Sequence, residues 1–310
     1  MKQYHTLLCV LWSVLALAQG ACPAREAISP CGCRGTKNGI LLECRGPEET
    51  DRIVSVLKNL AGRTGYEVQI ESLTTENLPE TVQKASAIRL RQCSLGRLIE
   101  SQSPAWPRLT EVVFESMSIR DNPWSQLKRA SSLRYLKVEA FPMPVIGSDF
   151  QDVPSSVAYL ELKQTDTAVL EPGSMAHLNG LVYLHMVDLP LKKFLRTALP
   201  EKMRQLHTFI LGNTNIESLE ATFFEGMPKL EVLMLNGNKF ATMDNRLFTP
   251  ITHLTHLLIE SNPLVCQCAL AKWIKNLNLK NSVRILATCY DNITQESKEV
   301  INLSENEYCL

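Results

Sequence analysis

One periodicity constrains this chain more than any other feature. Apolar residues recur at positions 1, 4, 6 and 11 of a unit that repeats every 24 residues, with a single step of 25. The clearest copies are Leu206/Phe209/Leu211/Ile216, Leu230/Leu233/Leu235/Asn238/Phe240 and Leu254/Leu257/Ile259/Asn262/Leu264. The frame steps back through Leu181/Leu184/Met186/Leu191, Val157/Leu160/Leu162, Leu133/Leu136/Val138/Met143, Leu109/Val112/Phe114/Ile119 and Ala85/Ile88/Leu90/Leu95. A weaker unit at Val68, Ile70 and Leu73 is expected about 22 residues before these. One short strand with a return segment cannot bury an apolar face, whereas stacked copies share a continuous interior. The period therefore predicts short parallel strands stacked side by side.

The unit resembles the extracellular leucine-rich-repeat class. That resemblance implies an α/β leucine-rich-repeat solenoid, with a curved parallel sheet on the concave face and irregular or short helical segments on the convex one. Phe223, Phe224 and Phe248 stand where the class places its convex-side aromatic. Its ninth position is commonly Asn, whose side chain satisfies backbone groups where the chain leaves the strand. Here that column reads Cys93, Met117, Phe141, Thr165, Leu189, Thr214, Asn238, Asn262. Only the last two conform, so the middle turns, including Phe141-Pro142-Met143-Pro144 and Leu189-Pro190, are expected to fold differently. Cys93 reads as a buried apolar thiol, with a reactive or intermolecular cysteine as the alternative.

An open stack needs terminal units to cover its exposed cross-section. Eight cysteines fall in two groups of four, Cys22, Cys31, Cys33, Cys44 and Cys266, Cys268, Cys289, Cys309. Such groups in an oxidising compartment read as disulfide frameworks, against zinc at the Cys-x-Cys pairs, and four cysteines leave three pairings open. Cys22-Pro23 through Pro30-Cys31-Gly32-Cys33 to Cys44 resembles an N-terminal leucine-rich-repeat cap. Asn262-Pro263-Leu264-Val265-Cys266-Gln267-Cys268, with a helix-forming stretch from Ala269 to Leu277, resembles a C-terminal one. The family implies Cys22–Cys33, Cys31–Cys44, Cys266–Cys289 and Cys268–Cys309. The N-terminal run, with Ile40-Leu41-Leu42 before the fourth cysteine and an amphipathic helix near Asp51 to Leu60, is similar to a narrower group. These are secreted arthropod leucine-rich-repeat proteins named after the non-catalytic subunit of Oplophorus luciferin 2-monooxygenase. That resemblance implies an accessory or binding role and transfers no active site.

Residues 1–20 read as a signal peptide: Lys2 and His5 precede an apolar run from Leu7 to Ala18, and small residues lead to cleavage before Ala21. At about 12 residues the run is short of the roughly 20 needed to span a bilayer, and no later stretch is long enough. The product is expected to be secreted and extracellular, without a lipid-anchor tail. The remaining boundaries are 21–62 for the N-terminal cap with its short helix, 63–261 for about nine repeats, and 262–310 for the C-terminal cap. With 32 basic and 32 acidic residues, bulk charge does not recruit nucleic acid.

If positions 1, 4 and 6 point inward, positions 3, 5 and 7 point outward and stack across strands. Position 3 places Tyr135, Tyr159 and Tyr183 in consecutive repeats, followed by Thr208, Val232 and His256. Position 5 reads Arg89, Val113, Lys137, Glu161, His185, Ile210, Met234, Leu258. Lys137 beside Glu161, and Glu139 beside Lys163, are expected to satisfy one another across strands. The tyrosines fit sheet stabilisation and interface anchoring equally. Ile210, Met234 and Leu258, bordered by Val187 and Val232, form a contiguous outward apolar row, which marks an interaction site unless the C-terminal cap or a self-dimer covers it. The expected ligand-binding residues are Tyr135, Tyr159, Tyr183, His185, Ile210, Val232, Met234 and Leu258. Their partner is an extracellular protein or a glycoconjugate, with a secreted catalytic subunit as the alternative and room for a homodimer.

Metalloprotease, nucleophile-elbow and phosphate-loop motifs are all absent from the sequence. His185, His207 and His256 are the histidines expected on the concave sheet, where ordinary surface roles suffice. No catalytic residue, cofactor or metal is expected, against the alternative of an unrecognised catalytic protein. Sequons at Asn292 and Asn302 lie in the C-terminal cap.

Overall fold

The computed structural model describes residues 21–37, 39–60, 62–100, 104–281 and 283–309; the signal peptide expected over 1–20 lies outside these. The chain divides into two units, one up to Arg134 and one from Tyr135 onward.

In the first unit the hairpin Gly32–Thr36/Gly39–Arg45 is antiparallel and opens a sheet continued in parallel by Glu67–Glu71, Ala87–Arg91 and Glu111–Glu115. Register places Leu42, Val68, Ile88 and Val112 in one inward row and Cys44, Ile70, Leu90 and Phe114 in the next; every one is buried. This register corrects the spacing of the first repeat. Val68 lies opposite Ile88, and Thr75, not Leu73, lies opposite Leu95, so the repeat is shorter than the expected 22 residues. Its return segment is a single tight 3-10 turn, Glu80–Lys84. The Thr50–Lys58 helix buries Ile53, Val56 and Leu57, and disulfides join Cys22 to Cys33 and Cys31 to Cys44.

In the second unit Tyr135–Glu139, Tyr159–Lys163, Tyr183–Val187, Thr208–Gly212, Val232–Met234, His256–Leu258 and Arg284–Leu286 form one parallel sheet. The inward row Leu136, Leu160, Leu184, Phe209, Leu233, Leu257 is fully buried and closes on Ile285. Behind it Phe223 packs edge-to-face on Phe194, Phe209 and Phe224, and Phe248 meets Trp273 with ring centroids 4.4 Å apart. Aromatic pairs of this kind add to the gain from area burial alone. Trp273 belongs to the Cys268–Asn281 helix, so the helix after the Cys-x-Cys lays its aromatic across the end of the core. Disulfides Cys266–Cys289 and Cys268–Cys309 hold this cap.

The turns after the strands correct a second expectation. In the repeats that lack Asn, the residue before the ninth position still has positive φ, as at Gln92 (53°), Ala140 (47°), Gln164 (49°), Asp188 (59°) and Asn213 (49°), matching Gly237 (67°) and Ser261 (58°) in the two repeats that carry it. The N–H of this left-handed residue donates to the carbonyl closing the neighbouring strand: Ala140 to Lys163 at 3.0 Å, Gln164 to Val187 at 3.0 Å, Asp188 to Gly212 at 3.1 Å. The turn is therefore a property of the stacked backbone and survives loss of the Asn side chain. Where Asn is present it adds to this: the Asn238 amide donates to Leu211 O and Leu235 O, both at 2.8 Å, and its carbonyl accepts from Thr214 N at 3.3 Å. Around Phe141–Pro144 other side chains serve. The Asp166 carboxylate accepts from Met143 N and the Thr167 hydroxyl donates to Met143 O at 2.6 Å. Cys93 is a buried free thiol that contacts Arg91 O at 3.2 Å, and burial pushes its ionisation upward.

Candidate functional site

Strand register brings the outward side chains of the second unit into three rows. Tyr135, Tyr159, Tyr183, Thr208, Val232 and His256 form one; Lys137, Glu161, His185, Ile210, Met234 and Leu258 form the middle one; Glu139, Lys163, Val187 and Gly212 form the third. Their placement follows from period-two alternation on strands whose other face supplies the core. All eight expected binding residues share this face. Tyr159 is 44% exposed and the other seven are half-buried.

The face has two chemically different halves. In the first, Glu161 is a hub that the sequence pattern does not reveal. Its carboxylate accepts from the Tyr135 hydroxyl at 2.9 Å, pairs with Lys163 at 2.7 Å and lies 3.8 Å from His185 Nδ1. Burial opposes the Glu161 charge, but the bonds from Lys163 and Tyr135 outweigh it and hold the carboxylate below its ordinary range. Burial and then the Lys163 charge lower His185 despite Glu161, so its imidazole is neutral near pH 7. That ring lies 3.2 Å from the Tyr183 hydroxyl and meets Tyr183 edge-on. Tyr135 and Tyr183 are thus tethered on either side of the more exposed Tyr159, whose ring centroid is 6.3 Å from that of Tyr183.

The ion pairs here run along strands. Lys137 pairs with Glu139 at 2.5 Å and Lys163 with Glu161 at 2.7 Å, which corrects the expected cross-strand pairing. Residues i and i+2 of a strand share a face, and a lysine reaches that distance as readily as it reaches the next strand.

The second half is the apolar row Ile210, Met234, Leu258. It gains a member the repeat frame did not contain: Leu286, on the cap strand, lies opposite Leu258 and is half-buried. The alternation of Val283, Ile285 and Ala287, all buried, is the sequence signal that would have found it. The cap strand thus continues the sheet edgewise beside Leu258. His207 precedes its strand and takes no place in the three rows; its Nδ1 lies 2.7 Å from Gln205 O.

In the cap, Asn292 is exposed in the turn between Thr288–Asp291 and Glu296–Glu299, and Asn302 is exposed with its amide donating to Glu299 at 3.2 Å. Among the described residues no group of three or more His, Cys, Asp or Glu is arranged to hold a metal ion, and no helix is long and apolar enough to cross a membrane.

Repeat length, parallel register, left-handed turns and the disulfide-bonded caps define a leucine-rich-repeat solenoid fold. Consistent with this, residues 204–264 match the leucine-rich-repeat family. A solved structure described as the octameric complex of Latrophilin 3 (Lec, Olf), Unc5D (Ig, Ig2, TSP1) and FLRT2 (LRR) includes a chain similar to this one. The two are 15% identical with a TM-score of 0.49, over 79% of this chain and 90% of that chain.

Proposed function

We propose that this chain is a secreted, non-catalytic recognition protein that holds another extracellular protein, or a glycoconjugate, on the outward sheet face from Tyr135 to Leu258. The observation that carries this is the register itself. Three tyrosines and a run of apolar side chains, far apart in sequence, are aligned on one face of one sheet and left partly open to solvent. Contiguous apolar surface and rigid aromatics are the features that concentrate binding energy at interfaces. The reading assigns residues 1–20 to a signal peptide, 21–62 and 262–310 to caps, 63–261 to the repeats, and glycans to Asn292 and Asn302.

A second reading, favoured by the pattern from Cys22 to Cys44 and the helix that follows it, is a stabilising subunit of a secreted enzyme, as in the arthropod group named above. The two separate on proximity capture in native extracellular fluid: an enzymatic companion supports the subunit, a receptor, matrix or microbial ligand the recognition module. Replacing Tyr159, Tyr183, Met234 and Leu258 with charged residues is expected to abolish capture with secretion unchanged. Undiminished capture would move the site off this face.

A further inference from the structure

The hairpin of the C-terminal cap carries a tyrosine that the fold leaves largely uncovered. Tyr290 is 42% exposed. Its backbone is fixed on one side by bonds to Leu264 O at 2.7 Å and from Cys266 N at 2.9 Å, and on the other by pairing with Ser297. Ser297 is exposed and too small to cover a phenol ring. Two residues after Tyr290, Asn292 opens the turn, followed by Ile293, 85% exposed, and Thr294, also exposed. One side chain joins the ring to this sequon. The Gln295 amide oxygen accepts from the Tyr290 hydroxyl at 2.9 Å, and its nitrogen donates to the Asn292 carbonyl at 2.6 Å. Tyr290 and Asn292 therefore lie on the same side of the turn, bridged by a single amide.

We propose that the first sugar of a glycan on Asn292 packs against the Tyr290 ring and that this contact braces the cap hairpin. The inference rests on Asn292 being glycosylated, as in the reading above, and says what the glycan does there. Attachment forms a bond between the Asn292 amide nitrogen and C1 of the first N-acetylglucosamine. A lipid-linked oligosaccharide supplies the sugar, its lipid diphosphate leaves, and the nitrogen gives up one proton. The sugar ring presents C–H bonds polarised by the neighbouring oxygens, and the negative face of an aromatic ring attracts them. The contact also covers apolar ring surface that the protein itself leaves to water. It links the turn to the strand before it, so opening the hairpin breaks it.

Asn302 lacks this arrangement and serves as an internal control. The residue two before it is Val300, aliphatic and fully buried. Its own amide donates to the Glu299 carboxylate at 3.2 Å, and the Ser304 hydroxyl of its sequon is occupied in accepting from Asn306 N at 3.3 Å.

The test uses the full chain secreted with oligomannose glycans, before and after endoglycosidase trimming to a single N-acetylglucosamine, beside Asn292→Gln, Tyr290→Ser and the double variant. The mass of the peptide bearing Asn292 reads occupancy, and amide hydrogen exchange over Thr288–Glu299 reads the stability of the hairpin. The trimmed wild type is expected to exchange about three- to tenfold more slowly than Asn292→Gln, the range for one aromatic contact. Trimming itself should change nothing, because the contact is made by the first sugar. In the Tyr290→Ser background the glycan should slow exchange by less than about twofold; comparing the two backgrounds cancels what Tyr290→Ser removes from the protein alone. Sugar C–H resonances of the trimmed wild type should lie upfield, under the ring current, and return in Tyr290→Ser. Asn302→Gln should leave hairpin exchange unchanged. An occupied Asn292 whose glycan slows exchange equally with and without Tyr290, or not at all, overturns the contact and leaves the glycan assignment standing. An unoccupied Asn292 removes the glycan assignment and the contact with it.

Discussion

Leu258 and Leu286 lie directly opposite one another on neighbouring parallel strands, although the whole helix of the C-terminal cap separates them in sequence. The cap strand therefore does two jobs with adjacent residues: Ile285 points inward against Leu257 and is 8% exposed, and Leu286 points outward. Truncating the two should have unequal costs. Ile285→Ala leaves a cavity at the end of the core and is expected to lower stability by about 2–4 kcal/mol, while Leu286→Ala should cost less than about 1 kcal/mol. Urea unfolding of the two variants measures the difference; equal losses would mean that the cap strand does not close the core.

Asn238 is 1% exposed and bonds to carbonyls on two successive strands. Asn238→Ala takes this partner from the Leu211 carbonyl and the Thr214 N–H, while Leu235 O keeps the Asn262 amide at 2.9 Å, and is expected to cost about 1–3 kcal/mol. The loss should appear as faster hydrogen exchange at Thr214 and Gly237, with exchange at Ala140 and Gln164 unchanged, because the earlier turns do not use this side chain.

Much of the fold and of the candidate face is legible in the sequence because a fixed period aligns residues of successive repeats by spacing alone. Once Leu184 and Phe209 are aligned, so are Tyr183 with Thr208 and His185 with Ile210. What escapes lies where the period does not reach. Leu286 sits beyond the last repeat, in a strand marked only by its alternation. The turns at Ala140 and Gln164 keep their form because backbone bonds between strands set it, so the missing Asn column misleads. The direction of the ion pairs at Lys137 and Lys163 depends on rotamers that a pattern of letters does not fix. Glu161 for that reason looks like one half of a pair when it is the centre of a network.

Ala140 occupies a left-handed conformation, φ 47°, that penalises a residue carrying a Cβ. Ala140→Gly should remove that penalty, of roughly 1–2 kcal/mol, at the cost of a more flexible unfolded chain. The expected outcome is a net stabilisation of up to about 1 kcal/mol, read as a raised urea midpoint at unchanged slope. A lowered midpoint would show that the methyl group contributes packing that outweighs the strain.

The Cys266–Cys289 bridge ties the last turn of the solenoid to the cap hairpin. Replacing both cysteines with Ser is expected to cost about 2–4 kcal/mol. The loss should be confined to the second unit, so proteolysis of the variant is expected to cut first after Asn262 while the first unit remains intact. Early cleavage near Cys22 to Cys44 would contradict an independent C-terminal cap.

Within that hairpin Asp291 gives the cap an acid limit. Its carboxylate takes bonds from Lys298 at 2.8 Å, from the Tyr308 hydroxyl at 2.6 Å and from Ile293 N at 2.8 Å, and the first two partners hold its pKa well below the usual carboxylate range. A carboxyl whose pKa is depressed by folding stabilises the fold above its unfolded value, about 3.9, and loses that contribution as pH falls toward the folded value. Asp291→Asn should therefore melt below wild type at pH 7, and the gap should narrow steadily below about pH 4 as wild-type Asp291 takes up its proton. Thermal melts of both proteins from neutral pH into acid measure this, and a gap that stays constant across the range would show that the charge of Asp291 contributes nothing to the cap.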